Sequence, residues 1–133
     1  EENFNWKDAR VLFQKGTYGT ALIKRLTKLL KKPFRPHPQN LIDIQKVWAQ
    51  KQIERCRKND IQGLFRRAEF LNYLVYHYFY ARQKRFEGPK EAFAWMEKND
   101  QKTFKLIKRA LTHPTNLFFL KAAAENVYRI ALI

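Results

Sequence analysis

The chain has 133 residues, 45% of them hydrophobic and 15% aromatic: the length of one ordinary domain, with enough apolar material to exclude intrinsic disorder. Lys and Arg number 27 against 12 Asp and Glu, a formal net charge of +15, and self-repulsion on that scale points to a polyanionic partner. With 4 Gly and 5 Pro the chain lacks the turns of an all-β design, and its single cysteine, Cys56, excludes an intrachain disulfide and suits a reducing, intracellular setting, cytoplasmic or nuclear.

Apolar residues recur with period 3.6, so the expected fold is all-α: a single-domain helical bundle of about six or seven helices with a long central helix over about 60–86. In chain order, Asn5 caps a short helix to about Gln14, with Val11 and Leu12 inward. Gly16 and Gly19 bracket a turn, and Thr20 caps a second helix to about Lys32. Pro33, Pro36 and Pro38 hold the next segment extended. Asn40 caps a third helix to about Lys58, and Asp60 caps the long fourth helix to about Phe86. The aromatic, β-branched run Leu71 to Ala81 would suit a strand, but Ile61, Leu64, Phe65, Ala68, Leu71, Val75 and Tyr78 carry the helical period straight into it. Gly88-Pro89 ends that helix and begins a fifth. Asn99 or Asp100 caps a sixth to about Leu111, and Thr115 opens a seventh that runs to the end of the chain. Residues 1–133 are expected to form one domain, either excised from a longer protein or a subunit of a complex, since the chain closes on the apolar Ala131-Leu132-Ile133.

Charge is distributed unevenly along these elements. Between Asp8 and Asp43 there is no acidic side chain, while Arg10, Lys15, Lys24, Arg25, Lys28, Lys31, Lys32 and Arg35 all fall there. On the second helix Leu22, Ile23, Leu26, Leu29 and Leu30 form one stripe, expected to face the core, and Lys24, Arg25, Lys28, Lys31 and Lys32 form the opposite one. Lys98, Lys102, Lys105 and Arg109 repeat the pattern on the sixth helix, with Lys108 widening it and Phe104, Ile107 and Leu111 inward. These lysines and arginines, with Arg35, are the candidate phosphate-binding residues. Tyr18 and Phe34, flanking the second helix, are the candidate base-stacking residues, whereas Tyr73, Tyr76, Tyr78, Phe79 and Tyr80 read as core. Arg66, Arg67, Arg82, Lys84 and Arg85 read mainly as structural pairing residues. On the last helix a narrow polar stripe, Lys121, Glu125 and Arg129, leaves the rest apolar for core or partner packing, so the segment 115–133 is the candidate contact with other subunits.

No catalytic constellation is found, and no cofactor or metal is expected. The acids are dispersed, Cys56 has no Cys or His at zinc spacing, and there is no glycine-rich phosphate loop. Arg109 and His113 stand closer together than the Arg–His motif of HEPN-type helical ribonucleases requires, so no nuclease site is assigned. The expected function is therefore non-catalytic binding of DNA or RNA through the backbone, by a domain or small subunit of a nucleoprotein complex. Two alternatives stand beside it: a module for anionic membrane surfaces, because leucines opposite lysines also describe an interfacial helix, and a helical adaptor for an acidic protein.

Overall fold

The period-3.6 pattern becomes helix throughout. The computed structural model describes residues 9–132 and, among them, six helices and no strand. They are α1 (Tyr18–Leu30), α2 (Gln39–Arg55), α3 (Ile61–Ala81), α4 (Pro89–Asn99), α5 (Gln101–Thr112) and α6 (Leu117–Tyr128). No helix among the described residues is long and apolar enough to cross a membrane.

As expected, α3 is the central helix. It packs on α2, α4, α5 and α6, and its aromatic run is helical, burying Phe70, Leu71, Leu74, Val75, Tyr78 and Phe79. Helix α6 lies against both α3 and α5. Its small residues permit that approach: Ala123 and Ala124 are fully buried together with Leu120, Val127 and Tyr128. Phe118, by contrast, stays exposed.

Local capping chemistry sets several boundaries. Asp60 accepts a 2.7 Å hydrogen bond from the Gly63 amide at the start of α3. Gly63 itself is required by close approach, because a Cβ there would fall 1.9 Å from the Lys58 carbonyl oxygen. Pro89 opens α4 after Gly88, which adopts φ 112. Asp100 caps α5 through the Thr103 amide, and its other oxygen accepts from the Tyr78 and Thr103 hydroxyls at 2.8 and 2.9 Å. Burial works to raise the Asp100 carboxyl, but the hydrogen bonds from Thr103 and Tyr78 and the nearby Arg82 outweigh it and hold it below its ordinary value.

Other boundaries differ from expectation. Residues 9–14 are not helical, and the proposed Asn5 cap lies outside the described residues. Gly16 turns the chain at φ 69, and Thr20 falls inside α1 instead of capping it. Its amide is capped from a distance: Gln14 Oε1 accepts from Thr20 N at 2.9 Å, and Gln14 Nε2 donates to Thr20 Oγ1 at 2.9 Å. Helix α2 begins after Pro38 instead of Asn40 and ends at Arg55, short of Lys58. Helix α3 stops at Ala81, not Phe86, because Gln83 adopts φ 55. Asn116, not Thr115, caps α6, and Arg129 at φ 54 ends it before the chain does. Glu125 therefore pairs with Lys121 at 4.0 Å and accepts from the Leu132 amide at 3.0 Å, leaving the expected Glu125–Arg129 spacing unused.

The Gln14 cap is testable in isolation. Gln14→Ala should expose the α1 amides, costing about 1 kcal/mol locally. Hydrogen exchange at Thr20 should quicken several-fold while the global unfolding midpoint stays put; an unchanged exchange rate would show that the carboxamide does not hold this end.

Candidate functional site

Helix α1 stands apart from the other elements. It makes no close helix–helix contact with α2 to α6 among the described residues, and none of its residues is buried. Lys24, Arg25 and Lys28 project on one side, and Lys31 and Lys32 extend that side past the helix end at Leu30. At 100° per residue Lys24, Arg25, Lys28 and Lys31 span an arc of roughly 120°. All of these, and Arg35, are exposed, and none shares an ion pair with a carboxylate among the described residues. The leucine stripe does not enter the core as expected: Leu22 is 37% exposed, and Ile23, Leu26, Leu29 and Leu30 are only partly covered. Val11 covers the start of the helix, with its methyls about where a Gly19 Cβ would project, at 2.9 and 3.0 Å.

The second cationic face is smaller than expected. Lys98 belongs to the last turn of α4, separated from the others by the cap at Asp100. Lys102, Lys105, Lys108 and Arg109 share the exposed side of α5, opposite Thr103, Ile107 and Ala110. Leu111, expected inward, is exposed, and Ala110 takes the buried position. Helices α1 and α5 do not touch, so the two sets of cations are separate faces.

The arginines around α3 have a different task. A helix leaves its last carbonyls without partners, and these carry the negative end of its dipole. Arg67 is 2% exposed, and its guanidinium donates to Cys56 O at 2.8 Å, Lys58 O at 3.3 Å, Asn59 Oδ1 at 2.7 Å and Thr115 O at 2.6 Å. Arg82 lies 3.8 Å over the Tyr78 ring, donates to Val127 O at 3.1 Å and stands 3.9 Å from Asp100. Arg85 donates to Leu30 O at 2.7 Å and Lys32 O at 2.6 Å. The C-terminal ends of α2, α6 and α1 are thus each closed by a guanidinium fork from α3 or just beyond it. The exposed cations of α1 and α5 are mainly lysines.

Between the end of α1, the proline segment and the end of α3 lies a cleft of about 770 Å³. Its walls include Leu29, Leu30, Phe34, Tyr76, Tyr80 and Phe86, and Lys32, Arg35 and Lys84 also line it. The proline segment is held in place: Gln83 Oε1 accepts from His37 N at 2.7 Å and Gln83 Nε2 donates to His37 O at 3.0 Å. The His37 ring stacks on Tyr80 with centroids 3.6 Å apart, and Phe34 meets His37 edge-on at 5.4 Å. Phe34 therefore lines a built cavity, while Tyr18, 78% exposed, stands at the far end of α1. Tyr76, Tyr80 and Lys84 were not anticipated as lining a site. The aromatic run at helical spacing reads as core: Tyr78, Phe79 and Tyr80 are indeed buried, Tyr76 is partly covered, and Tyr73, against expectation, is exposed.

Cys56 and His77 are enclosed, whereas His113 is exposed at the end of α5. Burial pushes the Cys56 thiol above its ordinary value. His77 is buried among Trp48, Tyr73, Tyr76, Tyr80 and Tyr128, with Nδ1 hydrogen-bonded to the Tyr128 hydroxyl. Desolvation pushes its imidazolium down to about 4 and the Tyr128 phenol well up, so both are neutral at ordinary pH. Among the described residues no group of His, Cys, Asp and Glu is placed to hold a metal ion.

Comparison with protein-family models, curated proteins and solved structures finds no match to this chain.

Proposed function

We propose that this domain binds nucleic acid through the phosphate backbone, without catalysis and without reading base sequence, alone or as a subunit of a nucleoprotein complex. The observation that carries the reading is the α1 face: Lys24, Arg25, Lys28, Lys31 and Lys32 lie side by side, exposed and without carboxylate partners among the described residues. Like charges three and four residues apart repel by a few tenths of a kcal/mol per pair, and a row of phosphates turns that repulsion into attraction. The α5 face, with Lys102, Lys105 and Arg109, supplies a second patch of the same chemistry.

Neutralising about six phosphates gives a log–log salt slope of roughly −4 to −5. The triple substitution Lys24→Glu, Lys28→Glu and Lys31→Glu should weaken binding at least 30-fold at low salt, flatten that slope and leave helicity intact by circular dichroism. Unchanged affinity in the triple variant removes this reading. Measured over single- and double-stranded DNA and RNA at two salt concentrations, the same titration identifies the preferred polymer.

A second reading, an anionic membrane surface, is favoured by one observation: the leucine face of α1 is only partly covered by the rest of the chain. It predicts cosedimentation with phosphatidylserine vesicles and none with phosphatidylcholine. A complex with an acidic protein would instead survive nuclease treatment.

A further inference from the structure

Resting on the nucleic-acid reading, we infer that the cleft between α1, the proline segment and the end of α3 takes unpaired bases, so that the domain prefers a single strand to a duplex. A nucleotide has an aromatic face and an anionic link, and this cavity offers partners for both. Phe34, Tyr76 and Phe86 present rings to it. Lys32 and Arg35 line it from the proline-segment side, while Lys84, which also lines it, holds its ammonium 4.8 Å over the Trp95 ring. The cationic row of α1 runs directly into the cavity, because Lys32, which follows the helix end, is one of its lining residues.

The cavity is also preformed. Gln83 clamps His37 from both backbone atoms, and Arg85 ties Leu30 and Lys32 to the end of α3, so binding does not have to order the proline segment. Its volume, about 770 Å³, falls within the range of small-ligand sites. A duplex cannot use these rings, since its base faces are stacked on one another. It can use only the lysines.

The test is fluorescence anisotropy with a labelled oligothymidine of about twelve nucleotides and a duplex of the same length, on the wild-type chain, Phe34→Ala, Arg35→Glu and the α1 triple variant. Stacking on an aromatic side chain is worth about 5- to 150-fold per base. Phe34→Ala should therefore weaken the single strand about 10-fold and the duplex less than twofold. Arg35→Glu, on an exposed position, should weaken the single strand several-fold more than the duplex, and it decides the matter should Phe34→Ala unfold. If both ligands bind and the α1 triple variant loses them while Phe34→Ala and Arg35→Glu change nothing, the cleft inference falls and the backbone reading stands. If neither oligonucleotide binds, and phosphatidylserine vesicles bind in a manner sensitive to Phe34→Ala, both fall and the cavity belongs to a lipid.

Discussion

Replacing Arg67 with methionine should destabilise the domain by roughly 3–5 kcal/mol, a large part of the ~5–15 kcal/mol that holds a domain folded. The side chain is 2% exposed and has no carboxylate partner among the described residues. Its charge is balanced by acceptors alone: the carbonyls of Cys56 and Lys58 beyond the end of α2, the Asn59 amide oxygen, and the Thr115 carbonyl ahead of α6. Methionine fills much of the volume but leaves the buried Cys56 carbonyl without a donor and takes the shared donor from the other three oxygens, at about 1–3 kcal/mol for each acceptor that cannot reach water. Lysine at this position recovers only part of the loss, because an ammonium cannot reproduce the planar fork. Arg66, partly exposed and next in sequence, is the control: Arg66→Met should change stability by less than about 0.5 kcal/mol. Urea midpoints of these variants decide the point, and equal midpoints for Arg66→Met and Arg67→Met would show that the network contributes nothing.

Arg67 also marks the limit of what sequence reading reaches here. The helices were legible because period 3.6 is a local property, and so were the Asp60 and Asp100 caps, whose acceptor and amide lie three residues apart. The partners of Arg67 and Arg85 were not legible: Thr115 lies 48 residues from Arg67, and Leu30 lies 55 from Arg85. The same distance problem hid the start of α1, set by Gln14 six residues before Thr20. The leucine stripe of α1 reads as inward because amphipathic spacing defines a face; whether anything covers that face depends on the tertiary fold. Of the candidate site residues, the lysine row of α1 was visible from spacing alone. The cleft was not, since it brings together Phe34, Tyr76 and Lys84 from segments far apart in the chain.

A division of labour between the two cations follows. Arg67, Arg82 and Arg85 carry forks that match paired backbone oxygens, and the fold places all of them on helix ends. Lys24, Lys28, Lys31, Lys102 and Lys105 remain at the surface as flexible point charges, which under the proposed reading would follow a phosphate chain without fixing its register. The net charge of +15 thus overstates the field available to a partner by the guanidiniums drawn inside.

Acidification should destabilise the domain well before its carboxylates titrate, and His77 is the reason. In the unfolded chain a histidine titrates near its ordinary value of about 6.5; in the folded domain burial pushes His77 down to about 4. The unfolded state therefore binds the proton more readily, so stability falls as pH drops below about 6.5 and goes on falling until the folded site itself titrates near 4. Over that window the loss approaches roughly 3 kcal/mol. Above 6.5 both states are neutral at this position and His77 contributes no pH dependence. The surrounding Trp48, Tyr73, Tyr76 and Tyr80 provide no negative charge to offset the proton, and Tyr128 keeps its own. Replacing both members of the buried pair, His77→Phe with Tyr128→Phe, removes the titrating group without leaving a lone polar atom behind. Urea midpoints of the double variant should stay nearly flat between pH 6.5 and 4.5 where the wild type declines. Parallel curves for the two proteins would place the acid sensitivity somewhere other than this imidazole.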